Sequence, residues 1–321
     1  MRIKPIIIIS GQPKSIFFEI FLKSLKFKKY RTPLIIIGSL YLLKDQIKKS
    51  NYKKDINLLK INEIKKKKLN NNSINIIDIK LKKTSNHKLK EKYSNTYIHN
   101  CFSTAFKLIK QGIAYKLING PINKTKFLNK KFLGITEFIS NEFNKKKFAM
   151  LIYNEKLSVC PLTTHLPLKL VARNISKKKI IEKVEIIENF YKKNFNIKPK
   201  IGVTGLNPHC ESILKFNEDI KIIAPAIKFL KKRKINVNGP IPADTIFLKK
   251  NRKKYDVILG MYHDQVLTPI KTLLEQDAIN ITMGLPFLRV TPDHGPNEKM
   301  YKKNKSSPLS LIKAINFLDK K

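Results

Sequence analysis

The sequence predicts an α/β fold with a largely parallel sheet, on the basis of three observations. Short apolar runs that suit buried strands alternate along the chain with longer amphipathic runs that suit helices. Several of the apolar runs end in turns rich in Gly, Pro and Asn. With 321 residues, 42% of them hydrophobic, the chain is long enough to bury a substantial core and to form two domains.

Each predicted element follows from its own apolar pattern and the turn residues around it. The strands are short apolar runs at residues 5–10, 33–37, 74–81, 201–206, 257–262 and 279–283, and an antiparallel pair within 148–162. The helices are amphipathic runs at residues 15–25, 41–49, 94–111, 179–194, 219–232 and 309–318. Residues 63–73 hold runs of Lys and Asn and are predicted to form a low-complexity loop.

The net charge of +43 suits binding to nucleic acid or to an anionic membrane surface. However, only six of the 66 basic residues are arginine, the residue best suited to bidentate recognition of bases and phosphates. The lysines are spread along the chain among many isoleucines and asparagines, as codon drift in an AT-rich genome would produce. We therefore interpret most of the charge as solvated surface that also attracts an anionic substrate, and expect no nucleic-acid partner.

The sequence predicts a cytoplasmic protein without a membrane segment. No apolar run reaches the roughly 18 residues of a transmembrane helix. The apolar run at residues 5–9 is too short for a signal peptide and ends in a turn. Cys101, Cys160 and Cys210 are scattered, odd in number and form no CxxC, which favours a reduced, cytoplasmic compartment.

Polar residues in turns after apolar runs are informative about function, because ligands of α/β sheets bind at the carboxyl ends of strands. Such turns lie at residues 120–124, 163–165, 205–209, 239–245, 261–265 and 292–297. His165, His209 and His263 each follow an apolar run, and three imidazoles can bind a divalent metal with positions left open for substrate. Spacing alone favours three separate loop histidines instead, because it has no diagnostic period.

The absence of several common motifs gives no support to some classes of enzyme. The sequence contains no GxGxxG, no Walker-type phosphate loop and no GxSxG, and no cysteine has a nucleophile signature. The residues by themselves therefore predict an α/β enzyme with polar loops and a small anionic substrate.

The sequences of these turns are more specific than their spacing. GPINK, LTTHLPL, GLNPH, GPIPADTIF and YHDQVLTPIK, followed by NITMGLPFLRVTPDHG, resemble the 4-hydroxythreonine-4-phosphate dehydrogenase family in the family's order. The resemblance implies two α/β domains with a cleft between them, like isocitrate and isopropylmalate dehydrogenases, assembled as a homodimer. It suggests residues 1–134 plus 280–321 for the first domain and 135–279 for the second, which carries the metal-ligand histidines.

The resemblance also implies the residues of the active site. In the family, three histidines from both chains bind a metal ion at the dimer interface. They are matched here by His165, His209 and His263. The resemblance therefore favours a metal site, whereas spacing alone favoured three separate loop histidines. The family's substrate-binding positions are matched by Thr136, Lys271, Asn280 and Arg289. A lysine and an arginine suit a phosphate and a carboxylate, and an asparagine donates and accepts without charge.

The implied reaction is oxidation of the C3 hydroxyl of 4-phosphooxy-L-threonine in vitamin B6 synthesis. NAD or NADP is the implied oxidant, with one divalent metal ion (Zn, Mg or Co) per active site. The metal would stabilise the charge that develops on the substrate oxygen. The keto acid product then loses carbon dioxide.

Four further residues are candidates. Asp264, beside His263, is expected either to orient that ring or to cap a helix. Asp244 is expected either as a polar group in the cleft or in a turn or cap. Asp293 and His294 match a loop that lies near the adenosine of the cofactor in the related dehydrogenases.

Departures from the family pattern concern substrate and cofactor contacts. Ile135 stands where the family usually has a histidine, so one substrate-facing imidazole is missing. The glycine-rich stretch that usually follows the NPH motif is replaced by residues 210–214. The motif at residues 11–19 and the small-residue run at 296–299 also differ from the family.

Two alternative functions remain open. The first, suggested by Ile135, is a sister dehydrogenase that acts on 4-phosphothreonate or 4-phosphoerythronate. The second, suggested by the charge, is a basic nucleic-acid-binding protein on an inactive dehydrogenase scaffold, whose affinity would fall steeply with salt.

Overall fold

The computed structural model describes residues 3–82, 91–128, 131–132, 134–213, 216–275, 277–292 and 295–321. The chain divides into two compact units, Met1–Ile135 with Pro286–Lys321, and Thr136–Leu285. The domain limits expected from the sequence fall one residue earlier at the first junction (134 against 135) and six earlier at the second (279 against 285). That each unit is an independent domain stays a prediction.

Strands and helices alternate through most of the described residues, and the α/β prediction is confirmed. The strands are β1 (Ile6–Ile9), β2 (Leu34–Gly38), β3 (Ile56–Leu58), β4 (Ile74–Asp78), β5 (Lys116–Asn119), β6 (Ala149–Tyr153), β7 (Ser158–Pro161), β8 (Ile201–Thr204), β9 (Val237–Ile241), β10 (Val257–Gly260), β11 (Ile279–Met283) and β12 (Leu288–Pro292). The α-helices are α1 (Phe17–Phe27), α2 (Leu40–Ser50), α3 (Glu91–Lys110), α4 (Lys124–Leu128), α5 (Ile135–Glu142), α6 (Lys177–Phe195), α7 (Ala224–Lys232), α8 (Ala243–Ile246), α9 (Lys249–Arg252), α10 (His263–Leu274) and α11 (Leu309–Asp319).

Capping residues explain where two of the long helices begin and end. Ser39 precedes α2, and its side chain accepts a hydrogen bond from the backbone N–H of Leu42. Ser176 caps α6 in the same way. Asn51 and Asn196 follow the two helices in the left-handed conformation, which asparagine tolerates better than most residues.

The first unit contains a parallel sheet in the order β3-β4-β2-β1-β5-β12. β1 and β2 are buried along their whole length, which explains their unbroken apolar sequences. Helix α3 packs against β1 and β2, while α1 packs against α2 and α11.

The second unit contains a mixed sheet in the order β11-β6-β7-β10-β8-β9. The last four of these strands are parallel to one another, whereas β6 runs antiparallel to β7 and to β11. Helix α6 packs against β6 and β11, and α10 packs against β7 and β10. The carboxyl ends of β7, β10, β8 and β9 therefore lie along the same edge of this sheet.

The apolar patterns did not predict the strands β3, β5, β9 and β12 or the helices α4, α5, α8, α9 and α10. β5 and β12 carry the buried polar side chains Lys116 and Arg289, which interrupt the apolar pattern. Pro269 lies inside α10 and is a helix-breaking signal when it is read from sequence alone. Among the described residues, no helix combines the length and the apolar character needed to cross a bilayer.

Candidate active site

Four candidate residues follow the four neighbouring parallel strands of the second unit. His165 follows β7, His263 follows β10, His209 follows β8 and Asp244 follows β9. Because these carboxyl ends share one edge of the sheet, the side chains lie on the side where α/β sheets bind ligands. The rings of His165 and His263 lie next to each other, with 6.1 Å between their centroids and 37° between their planes.

Backbone hydrogen bonds bring these two histidines together. The N–H of Leu162 donates to the carbonyl of Gly260 at 2.7 Å, which extends the pairing of β7 and β10 past the strand ends. The Thr163 hydroxyl then donates to the carbonyl of Met261 at 2.8 Å. The two turns therefore run side by side as far as the histidines.

Gln265, which the sequence places in the polar turn at 261–265 without a role of its own, joins the turn after β10 to the turn after β8. Its side-chain oxygen accepts from the backbone N–H of Met261 at 2.7 Å and from the hydroxyl of Thr204 at 2.8 Å. Its amide nitrogen donates to the carbonyl of Gly205 at 2.8 Å. Gln265 is buried among the apolar residues of α10, and a polar residue on such a face is a signal that could have found it.

Asp264 contacts the ring of His263, with 2.8 Å between its Oδ1 and the histidine Nδ1. A carboxylate can only accept, so Nδ1 donates the proton in this hydrogen bond, and in the neutral ring Nε2 then has the lone pair that can bind a metal. The helix N-cap is Tyr262, and Asp264 lies in the first turn of α10. The alternative that Asp264 caps the helix is therefore wrong, because the helix begins one residue before it.

His209 lies in a strained turn. His209 and Cys210 have φ angles of 54° and 60°, in the left-handed region that non-glycine residues rarely adopt. The turn is held from behind by Asp219, a fully buried carboxylate. This carboxylate accepts from the backbone N–H of Leu206 at 2.7 Å, and from the backbone and side-chain nitrogens of Asn207 at 3.1 and 2.9 Å.

Asp244 lies in the first turn of the short helix α8 and is exposed. The N-cap of α8 is Pro242, so Asp244 does not cap that helix. Its carboxylate acts electrostatically on Cys210, in the turn of His209. Burial, followed by the carboxylates of Asp219 and Asp244, raises the pKa of the Cys210 thiol to about 11. Cys210 is therefore a neutral thiol at physiological pH.

The described residues of a single chain contain no group of three His, Cys, Asp or Glu side chains placed to hold a metal ion. The chain brings His165 and His263 together but does not add His209 to them. Two facing imidazoles, one with its Nδ1 bound to a carboxylate, are nevertheless a donor set that fits a divalent transition metal.

The substrate-binding candidates of the second unit lie on three elements. Thr136 is in the first turn of α5, and Lys271 is exposed on α10. Lys271 follows Asp264 by seven residues, so the two share a face of the helix. On β11, the buried Oδ1 of Asn280 has no hydrogen-bond partner among the described residues. A buried acceptor without a partner is available to a ligand.

Polar atoms beside Thr136 form a second group that the sequence reading missed. The Oε2 of Glu137 and the hydroxyl of Ser140 are buried without hydrogen-bond partners among the described residues. Lys183 lies nearby and donates to the carbonyl of Phe148 at 2.6 Å. Burial lowers the pKa of Lys183, while Cys160 and Glu137 oppose that shift.

Arg289 belongs to the first unit and is 4% exposed. Its Nε donates to Oδ1 of Asn119 at 2.9 Å, which fixes the guanidinium at the carboxyl end of β5. The cofactor candidates Asp293 and His294 lie outside the described residues.

The fold and these side chains define an α/β protein that presents histidine, aspartate and arginine side chains at the carboxyl ends of its strands. Residues 29–318 match the model of the family described as "Pyridoxal phosphate biosynthetic protein PdxA". The chain therefore belongs to this family, and the prediction of the family is confirmed.

Individual relatives carry two different names. A 4-hydroxythreonine-4-phosphate dehydrogenase of Sulfurihydrogenibium sp. is 38% identical over 312 residues, which cover 95% of this chain and 94% of that protein. A D-threonate 4-phosphate dehydrogenase of Salmonella typhimurium is 30% identical over 301 residues, 92% of each chain. The crystal structure of a 4-hydroxythreonine-4-phosphate dehydrogenase from Klebsiella pneumoniae superposes with a TM-score of 0.83 at 27% identity, covering 98% of this chain and 97% of that one. A nicotinamide cofactor and a small phosphorylated substrate are consistent with this family.

Proposed function

We propose that the protein oxidises the C3 hydroxyl of 4-phosphooxy-L-threonine, with NAD or NADP as oxidant and a divalent metal ion, in pyridoxal phosphate synthesis. The product, 2-amino-3-oxo-4-phosphooxybutanoate, then decarboxylates to 3-amino-2-oxopropyl phosphate. The observation that carries the proposal is the neighbouring pair of His165 and His263 rings. It occurs in a chain that is 38% identical to a 4-hydroxythreonine-4-phosphate dehydrogenase.

The metal would be held by His165, His209 and His263, drawn from both chains of a homodimer. His165 and His263 supply two neighbouring imidazoles, and His209 is exposed at the same edge of the sheet, where a second chain can reach it. Zn, Mg and Co are the candidates, and the imidazole donors favour Zn or Co. When bound, the metal supplies positive charge beside the reacting hydroxyl and the nicotinamide accepts the hydride.

The side chains of the protein would bind the two ends of the substrate. Lys271 and Arg289 suit the phosphate and the carboxylate, since both are cationic and arginine can bind either group with two parallel hydrogen bonds. The Oδ1 of Asn280, which has no hydrogen-bond partner in the described part of the chain, can accept from the substrate ammonium. Thr136 supplies a hydroxyl, and Asp264 holds the His263 ring in position.

The cofactor would lie beside Asp293 and His294. The preference for NAD or NADP is to be measured. We place the enzyme in the cytoplasm, which its three free cysteines support.

The test is formation of reduced nicotinamide from 4-phosphooxy-L-threonine by the purified dimer, with NAD and NADP in separate reactions. The protein is first stripped with a chelator and then supplied with Zn, Mg or Co. We expect turnover that disappears on stripping and returns with one of the metals. Absence of turnover with every combination of metal and cofactor would contradict the proposal.

Oxidation of a phosphorylated threonate is the second candidate, because relatives named D-threonate 4-phosphate dehydrogenase are 30% identical over nearly the whole chain. Ile135 supports it, since a buried isoleucine provides no hydrogen bond where the family usually has an imidazole. The ratio of kcat/KM for 4-phosphooxy-L-threonine and D-threonate 4-phosphate decides between the two. A ratio that favours the threonate would replace the first proposal.

A further inference from the structure

A cavity of about 730 Å³ lies in the first unit, at the edge of the sheet opposite to the carboxyl ends. Its lining residues precede the parallel strands β1, β2, β3 and β4. The volume is within the usual range for cavities that bind small molecules. Since strands of a parallel sheet begin and end at opposite edges, this cavity is separate from the edge that carries Arg289 and Asn119.

The cavity is lined by cationic side chains from three separate segments. Lys28, Lys29 and Arg31 come from the connection between α1 and β2, Lys54 from the segment before β3, and Lys68 from the Lys- and Asn-rich loop. No Asp or Glu is among the described residues that line it. The predicted low-complexity loop therefore forms part of a concave and strongly positive surface.

Two of these cationic side chains, Lys29 and Lys54, repel each other. Burial, and then the neighbouring charge of Lys29, lower the pKa of Lys54. Lys29, Lys54 and Lys68 form no ion pair in the described part of the chain. A bound anion would relieve this repulsion and would gain from partial burial, where charges interact more strongly than in water.

The ordinary structural reasons for basic residues explain only part of the cluster. Lys28 follows the carboxyl end of α1, where a cation is favourable, and its Nζ donates to Asn316 at 3.0 Å. Asp319 approaches Arg31, but its carboxylate accepts from the backbone N–H groups of Arg31 and Thr32. Lys54 and Lys68 belong to other segments, so the dipole of α1 does not account for them.

The wall of the cavity is built from hydrogen-bonded residues. Asn71 donates to the carbonyls of Tyr30 and Thr32, both at 2.9 Å, and accepts from the N–H of Leu34 at 2.9 Å. Tyr30 is buried, and its hydroxyl bonds to the carbonyl of Ser24. Apolar side chains, among them Leu25 and Leu69, line the rest. The cavity thus combines hydrogen-bonded and apolar walls with cationic side chains.

We propose that this cavity binds a small ligand that carries two or more phosphate groups and a ring or other apolar part, of the nucleoside di- or triphosphate class. Five cationic side chains exceed the charge of a single phosphate group, and the apolar walls suit a non-phosphate portion. The concave shape favours a small molecule over a nucleic-acid strand. This site is independent of the proposed dehydrogenase reaction.

The test is calorimetric titration of the intact protein with ATP, and separately with inorganic phosphate. The variant Lys54→Gln/Lys68→Gln removes two charges from the cavity, and Lys231→Gln/Lys232→Gln removes two exposed charges from the end of α7 in the second unit. We expect saturable ATP binding that the first pair weakens by about tenfold or more and the second pair leaves unchanged. Phosphate alone should bind much more weakly than ATP.

Other outcomes would overturn the proposal. Equal weakening by both pairs would indicate general attraction to a basic protein, and no effect of either pair would place ATP elsewhere, for instance at the proposed cofactor site. Absence of saturable ATP binding, with or without tight binding of a single-stranded RNA oligonucleotide, would also reject it. Thermal melting of both variants excludes unfolding as the cause, and dehydrogenase activity does not enter the result.

Discussion

The turns after β10 and β8 each carry a histidine proposed as a metal ligand, but the fold holds them differently. His263 begins a regular helix, and its ring is bound by the adjacent Asp264. His209 lies in a left-handed pair of residues outside any regular α-helix, held from behind by the buried Asp219. The first turn is set by helix geometry, whereas the second is bonded to a distant buried carboxylate and stores backbone strain.

The two proposed metal ligands His263 and His209 are therefore held in place by different kinds of structural contact. Gly260 allows α10 to approach the end of β10, because a Cβ at this position would clash with Val266. In contrast, the turn of His209 is held to a distant part of the chain by the hydrogen bonds that Leu206 and Asn207 donate to Asp219. Substitution of the exposed Asp264 should therefore affect metal binding alone, while substitution of the buried Asp219 should affect stability as well.

The largest effect is expected from removal of the histidines themselves. His209→Ala and His263→Ala should each lose the bound metal and reduce turnover to background. Both side chains are at least partly exposed, so the free energy of unfolding should change by no more than about 0.5 kcal/mol. Metal analysis and chemical denaturation measure the two quantities.

The control for the histidine variants is His99→Ala, in helix α3, a histidine for which we propose no role. It should keep wild-type metal content and turnover. Wild-type metal content in either site variant would remove that residue from the ligand set.

Asp219→Asn should destabilise the protein by about 2–3 kcal/mol. One carboxylate oxygen accepts from Leu206 and the other from both nitrogens of Asn207, so an amide NH2 must face a donor whichever way it turns. Urea denaturation measures the loss. Glu218→Gln removes the same charge. The Glu218 side chain is partly exposed, and among the described residues it bonds only to the Asn207 side chain, at 3.1 Å.

Glu218→Gln should therefore change stability by less than about 0.5 kcal/mol. If the two variants lose the same stability, the loss comes from net charge and the turn does not depend on Asp219. The turn after β8 would then need no more support from distant residues than the turn after β10.

Asp264→Ala should weaken metal binding by about tenfold while stability stays unchanged. The carboxylate fixes the proton of His263 on Nδ1, and the side chain is 79% exposed, so its loss leaves no buried group without a partner. Asp264→Asn should retain part of the affinity, because its amide oxygen can still accept from Nδ1. Metal titration of the stripped protein distinguishes the variants, and equal affinity in all three proteins would make Asp264 irrelevant to the ring.

The sequence was sufficient for the elements that are apolar throughout. β1, β2, β8 and β10 are buried on both faces, so their position is visible in the sequence alone. β12 was missed because Arg289, a buried side chain paired with Asn119, breaks its pattern. A buried charged side chain, such as Lys116 in β5 or Arg289 in β12, therefore hides a strand from the apolar pattern.

The site was predictable only through the resemblance of its motifs. His165 and His263 lie 98 residues apart (263 − 165), and only the pairing of β7 with β10 brings their rings together. Gln265 was expected only as the last residue of the polar turn at 261–265, and Asp219 only as the first residue of a predicted helix. Their bonds to backbone groups of other turns are not visible in the sequence. Such contacts have no sequence period, so they become visible only once the sheet order is known.

Cys210→Gly is the smallest expected effect, and it addresses the strain in the turn of His209. Cys210 has a φ of 60°, which glycine adopts without the clash that a Cβ creates. Relief of this strain should exceed the added freedom of the unfolded chain and stabilise the protein by about 0.5 kcal/mol. Cys210→Ala keeps the Cβ and removes only the thiol, so it should not stabilise the protein. If alanine stabilises as much as glycine in denaturant titrations, the thiol and not the backbone is the source of strain, and the turns after β8 and β10 would no longer differ in stored strain.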